Sequence, residues 1–309
     1  MQCTHQSKSA FALSIVLWIV AALLLGVAFI VSVSKNDLQL TKQLHNKLDT
    51  RLEAESVLEA LKFAIITSDY DSIGLDIHTK LPYKFPKKII LDGRKYAINK
   101  EITIALQDAS SMLNIIYPDA RLLASLATTA DERELFYTIR DSILDWKDSD
   151  NVVTLNGAEA SFYHLKQGKN YGPRNSQSLQ SVDELRLING MDRLSDNAWK
   201  KLKQRIYFGD GAVVDLALLD TFYLQKLLKL NFLDAKMLHQ YQTTDMPKFM
   251  DFIQKNSHYD ENSMGFALSF KIKIDIIVKN HATTSILHTF MNFRSLSKDS
   301  LSVDKFEIY

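Results

Sequence analysis

Positions 10–33 carry no Asp, Glu, Lys or Arg and are almost wholly apolar. A bilayer core needs about twenty such residues in a helix, so the run is long enough to cross one. The apolar region of a cleaved secretory signal is shorter, about 7–15 residues, so length favours a retained anchor. Lys8 stands on the short side, with Lys35 and Lys42 across the run; the expected orientation keeps the amino terminus cytoplasmic. The pattern then turns amphipathic. Leu40, Leu44, Leu48 and Leu52 recur at i+4, followed by Val57, Leu58, Leu61 and Ile65, with no Gly or Pro in 27–73. Helical period is the reading. It admits one helix over 11–66, roughly 80 Å long, or a membrane helix followed by a separate surface helix.

Further on, the period changes. Residues 88–91 and 96–106 are rich in β-formers and flank Asp92-Gly93, which predicts a hairpin or two-strand meander turning there. Phe270, Ile272, Ile274 and Ile276 alternate with Lys271, Lys273 and Asp275, the signature of a half-buried antiparallel strand. Residues 282–295 and 303–309 read as its neighbours. Between these regions, 121–126, 132–146, 182–188, 196–206 and 214–230 place apolar residues at i, i+3 and i+4. Residues 170–178 read as a loop. Two stretches, 113–143 and 214–241, each set a double-leucine helix before a second helix, a weak internal echo. The fold class expected is α+β. A long N-terminal transmembrane and amphipathic helix packs on a small antiparallel sheet, and a large all-helical domain is inserted into that sheet.

Composition narrows the chemistry. Net charge is +1 and the basic residues are dispersed, so no nucleic acid is expected as partner. Cys3 is the only cysteine, which excludes cysteine catalysis, thiolate zinc sites and iron–sulfur clusters beyond the leader. His164, His239, His258, His281 and His288 are scattered without metal-ligand spacing. Gly209 and Gly211 lack the Gly-Lys-Ser/Thr of a phosphate loop and read as a turn. Gly190 reads as a helix C-cap. Trp146, Tyr163 and Trp199 read as core. No catalytic motif emerges, so an enzyme is not expected.

One acidic cluster stands out. Asp145, Asp148 and Asp150 fall within six residues, and Glu159 follows nine later. Such a loop could hold calcium, which takes six to eight oxygens, or be a solvated acidic helix end. With Asp148 as position 1 of an EF-hand loop, Asp150 is position 3 and Glu159 position 12. Val152 and Val153 at positions 5 and 6 rule out that motif.

The segment "AFALSIVLWIVAALLL" after a short polar leader resembles the type IV pilins, and is similar to minor pseudopilin K of the type II (general) secretion pathway. "ITIALQDASSMLNI", "SILDWKDSDNVVTLNGAEASFYHL" and "SVDELRLINGMD" extend the resemblance along nearly the whole chain. It implies cleavage by prepilin peptidase between Ala10 and Phe11 and N-methylation of Phe11. Ala10 replaces the usual Gly, and Ile15 replaces the usual Glu, an absence the K-type subunits share. It further implies a non-enzymatic subunit at the pseudopilus tip, with I- and J-type minor pseudopilins and other pseudopilins as partners. Calcium at Asp145, Asp148, Asp150 and Glu159 is implied as well, although Ala160 and Ser161 stand where relatives often have further acids. The expected location is the bacterial inner membrane, single-pass, with the large domain in the periplasm. The divisions expected are leader 1–10, transmembrane helix 11–34, pilin-like domain 35–107 and 251–309, and helical insert 108–250. Other readings are a minor pilin of a type IV pilus or competence system, a single-pass inner-membrane protein with a periplasmic helical binding domain, or a periplasmic enzyme.

Overall fold

The computed structural model describes residues 6–127, 129–173, 179, 181–209, 213–280, 283–293 and 302–308. One helix, α1 (Gln6–Thr67), opens the chain, which decides between the two readings of its pattern. At about 1.5 Å per residue its 62 residues span roughly 93 Å. With no Gly after Gly26 and no Pro at all, nothing in α1 ends it before Thr67. Short strands follow: β1 (Asp69–Tyr70), β2 (Gly74–Asp76), β3 (Lys88–Ile90), β4 (Asp92–Ala97) and β5 (Ile102–Asp108). Next come β6 (Leu113–Asn114), α2 (Ala120–Ser125), α3 (Ala130–Lys147), α4 (Val182–Leu185), α5 (Asp196–Arg205) and β7 (Ile206–Tyr207). Then β8 (Val214–Asp215), α6 (Thr221–Leu227), α7 (Phe232–Thr244), α8 (Met246–Gln254) and β9 (Met264–Gly265) lead back to β10 (Lys271–Lys279). The last elements are β11 (Thr284–Asn292) and β12 (Ser302–Ile308).

The main sheet has the order β12-β11-β10-β5-β4, every pair antiparallel. Because β5 and β10 are neighbours, with Ile274 opposite Leu106 and Ile276 opposite Ile104, everything in 109–270 is an insertion between them. The alternation read in β10 holds: Ile272, Ile274, Ile276 and Val278 are buried, and the residues between them are half-buried. Phe270 departs from it, lying before the strand in the left-handed region at φ 59°. The buried face of the sheet shares one core with Ala54, Val57, Leu58, Leu61 and Ile65 of α1. Thr50 Oγ1 and Ser285 Oγ fasten the start of this contact at 2.7 Å. The leucine stripe divides there. Leu40, Leu44 and Leu48 are exposed, because the sheet begins only at about Thr50, and Leu52 is exposed because it stands on the side of the helix away from buried Thr50 and Ala54.

Several expectations need correction. Asp92-Gly93 does not turn a hairpin. β3 pairs with β2 in a separate three-stranded sheet, and Gly93 sits at φ 83° in an irregular stretch of β4. The β4–β5 turn lies at Asn99, whose Oδ1 accepts from the N–H groups of Glu101 and Ile102. Residues 214–230 are not one helix: β8, a 3-10 turn at Leu216–Leu218 and α6 divide them, since Asp215 and Asp220 each cap a new start. Gly190 is no C-cap. α4 ends at Leu185, and Gly190, at φ 92°, begins a 3-10 turn at Met191–Arg193. The insert is not all-helical, because β6 pairs parallel with β7 and β8 with β9. Position 250 falls inside α8, and the chain rejoins the sheet only at β10. The internal echo takes matching form as β6-α2-α3 and β8-α6-α7, each short helix capped by an Asp, Asp119 or Asp220. Of the loop 170–178, residues 174–178 lie outside the described residues, as do Cys3, Gly211 and His281.

Candidate functional site

Two features of the chain bear on function: the apolar stretch of α1 and the acidic loop after α3. Among the described residues, α1 is the one helix long and apolar enough to cross a membrane, and its apolar stretch buries nothing against the rest of the molecule. Leu17, Trp18, Leu25 and Phe29 are exposed on several sides of it, Trp18 at 76%. A helix apolar all round is suited to lipid or to other helices, and not to water. Ala10 and Phe11 both lie within α1.

The acidic loop is built from α3. Thr129 caps the helix through Glu132 N–H, and an apolar face with Phe136, Ile139, Ile143 and Trp146 is buried. Trp146 packs edge-on against Tyr163 at 5.2 Å and donates its indole N–H to Glu184 Oε1 at 2.9 Å. These anchors fix the C-terminal turn of α3. Asp141 and Asp145, one turn apart, then hold the loop that returns beneath them. Thr154 N–H donates to both oxygens of Asp145 at 3.2 Å. Asn156 gives its N–H and its Nδ2 to Asp141 Oδ2 at 3.2 and 3.0 Å, and Arg140 pairs with Asp141 Oδ1.

That return brings Asp145, Asp148 and Glu159 together, with one oxygen of each within 4.8 Å of the others. Asp145 is fully buried and Glu159 is 2% exposed. Both oxygens of Glu159 and Oδ1 of Asp148 are buried without a hydrogen-bond partner. Burial first, and then the Asp145 and Asp148 charges, push the Glu159 carboxyl up to about 7. Burial also raises Asp148, with Asp150 and Asp145 adding to it. Converging carboxylates with unmatched oxygens are costly unless a proton or cation joins them. The residues therefore fit a hard cation such as calcium, which takes carboxylate, backbone and water oxygens. Asp150 stands outside this trio, and its Oδ1 accepts from Val152 N–H at 2.7 Å.

Four participants were not read as site residues from the sequence: Asp141, Thr154, Asn156 and Gly157. A Cβ on Gly157 would lie 2.0 Å from Asp145 Oδ2, so only glycine lets the loop pass so close to that carboxylate. The i, i+4 spacing of Asp141 and Asp145 on α3, with Asn156-Gly157 downstream, was the available signal.

The comparisons bear on this same segment. The family model described as "Type II secretion system (T2SS), protein K" matches residues 118–204, which contain α3 and the acidic loop. Residues 118–204 are therefore similar to protein K of the type II secretion system. The resemblance to minor pseudopilin K read from the sequence is thereby shown. None of the curated proteins compared matches the chain. Among solved structures, a chain in the crystal structure of the GspK-GspI-GspJ complex from the type 2 secretion system of enterotoxigenic Escherichia coli is similar. The match covers 89% of this chain and 99% of that one, with TM-score 0.52 at 16% identity. At that identity the likeness shows the fold alone. The protein K match and this fold support a minor pseudopilin role.

Proposed function

We propose that this protein is a structural subunit at the tip of a type II secretion pseudopilus, where it helps to start filament assembly for export of folded proteins. The observation that carries this reading is the protein K match on the insert of a chain whose N-terminal helix is apolar and unburied. In this reading residues 11–34 anchor the subunit in the inner membrane and the rest lies in the periplasm. The main sheet on α1 is the pilin-like body, and the insert is too bulky to be buried in a filament, so it caps one. Partners are I- and J-type minor pseudopilins, by analogy with the GspK-GspI-GspJ complex. Prepilin peptidase cuts before Phe11, and Phe11 becomes N-methylated.

The acidic loop belongs to the same reading. Asp145, Asp148 and Glu159 would hold calcium, with Asp150 close in sequence. The ion would neutralise three converging carboxylates and tie the loop to α3.

Intact mass and N-terminal sequencing of protein recovered from membranes test the reading at its base. A start at methylated Phe11, with copurification of I- and J-type subunits, is the expected result. A start at Met1 sinks the processed-subunit account. Deletion that leaves exoprotein secretion intact but abolishes twitching or DNA uptake would transfer the protein to a type IV pilus or competence system.

A further inference from the structure

The insert leaves and rejoins the main sheet at one end, and that end is remote from the apolar stretch of α1. The near end is the β10–β11 turn, where Asn280 Nδ2 and Thr283 Oγ1 donate to Asn46 O at 3.5 and 3.3 Å. At the other end, Tyr70 lies just past α1, donates its hydroxyl to Ile65 O and meets the Phe270 ring at 6.1 Å. Asp108, the last residue before the insert, pairs there with Ile272. The nine residues of β10 put about 30 Å between the two ends. With 11–34 in lipid, as in the reading above on which this geometry rests, the insert is mounted on the end of the body away from that bilayer.

One corner of the insert is both basic and bare of cover. Helices α6 and α7 meet there through a short turn, 228–231. Phe232 and Leu233, the first two residues of α7, are 60% and 76% exposed, and Phe222 on α6 is 40% exposed. Lysines stand among them. Lys226 lies one turn after Phe222, its Nζ 5.8 Å from the ring centre, and Lys236 lies one turn after Phe232. Lys229 is in the connecting turn itself. Among the described residues none of these three lysines pairs with a carboxylate. The nearby acids are taken, Asp220 by Arg205 and Asp234 by Asn231. Lys229 is also held at φ 49°, in the left-handed region. Leu230 N–H donates to Gln225 O at 3.0 Å across it, the Schellman closure in which glycine is the usual residue. A lysine is strained at that position, and its presence points to a use for the side chain.

We propose that the α6–α7 corner docks on an anionic lipid surface, a second membrane facing the one that holds α1. Lys226, Lys229 and Lys236 meet the phosphate headgroups, while Phe222, Phe232 and Leu233 enter the boundary between headgroups and acyl chains. Long lysine stems let the charges stay at headgroup level as the rings sink. An acidic protein would satisfy the lysines as well. Yet Phe and Leu thrust outward on a convex helical turn need a partner that closes round them, which a fluid bilayer does without a matching pocket.

The test uses the full chain in nanodiscs of phosphatidylcholine, sedimented with large vesicles in about 0.1 M salt. Vesicles of phosphatidylcholine alone are compared with vesicles holding about one third phosphatidylglycerol. The loaded discs are expected to sediment with the anionic vesicles alone, and to be released by about 0.5 M salt. Lys226→Gln should weaken capture about fivefold, and Phe232→Ser with Leu233→Ser about tenfold. Lys229→Gly is the sharper variant: it relieves the left-handed strain, so Tm should not fall while capture drops about fivefold. Loaded discs that stay in solution with anionic vesicles overturn the proposal and leave the corner to an acidic protein. Capture of Lys229→Gly as strong as the parent's overturns it too. Entry of the chain into discs tests the anchor and capture tests the corner, so each fails separately.

Discussion

Glu159 is the side chain whose surroundings ask most plainly for something else. Both its oxygens are buried and unmatched, beside two further carboxylates. Removing its charge should therefore help the metal-free chain and harm the loaded one. At pH 8 in EGTA, Glu159→Gln is expected to raise Tm, the gain in stability being about 1–3 kcal/mol for relief of an unsatisfied buried group. Calcium at a hundred times its Kd should stabilise the parent by about 2.7 kcal/mol, and the variant by much less. Melting curves with EGTA and with calcium check both. A parent whose Tm ignores calcium would remove the ion from the reading. At this scale the sequence was partly legible. Asp145, Asp148 and Glu159 were visible as a spaced acidic set, because the end of a helix constrains where the first two can point. That Asp150 would turn to Val152 N–H, and that Thr154 and Gly157 would seat against Asp145, depended on the path of a loop with no periodicity to betray it.

Among the elements, α1 changes character along its length without changing conformation. Leu61 is fully buried against the sheet, whereas Leu44 is 60% exposed and touches none of the core. Leu61→Ala is expected to cost about 2–5 kcal/mol, and Leu44→Ala no more than about 0.5 kcal/mol. Denaturant unfolding in micelles distinguishes them, and equal costs would contradict the packing described. The stripe from Leu40 to Ile65 was legible as helical because its apolar residues recur at helical spacing with no Gly or Pro between them. Where it meets the sheet was not, since a leucine waiting for a partner looks the same as one that has found it. Strand β10 was legible for the opposite reason: one covered face and one open face write alternation directly into the sequence. Residues 214–230 misled because leucines in a strand, a 3-10 turn and a helix lie at spacings that one helix would also produce. Only Asp215 and Asp220, both cap formers, hinted at the breaks.

For the molecule as a whole, the insert and the sheet share a continuous core, while the first half of α1 adds nothing to it. A chain lacking residues 1–34 should therefore be soluble without detergent and keep its fold. Circular dichroism should show the same strand content, with Tm within a few degrees of the full chain, about the shift that 1 kcal/mol produces. Aggregation of that shortened chain would mean that the anchor shields apolar surface elsewhere.

The unbroken passage of α1 from apolar stretch to core has a mechanical consequence. If 11–34 lies in lipid, residues 35–49 form a rigid strut of about 22 Å before the sheet takes hold at Thr50. A flexible tether would let the body tumble, swing and sink to the bilayer surface. A strut holds it at fixed height and fixed azimuth. Rotating or lifting the body by a few ångströms must then rotate or lift the membrane segment by the same amount, with no slack between them to absorb the stroke.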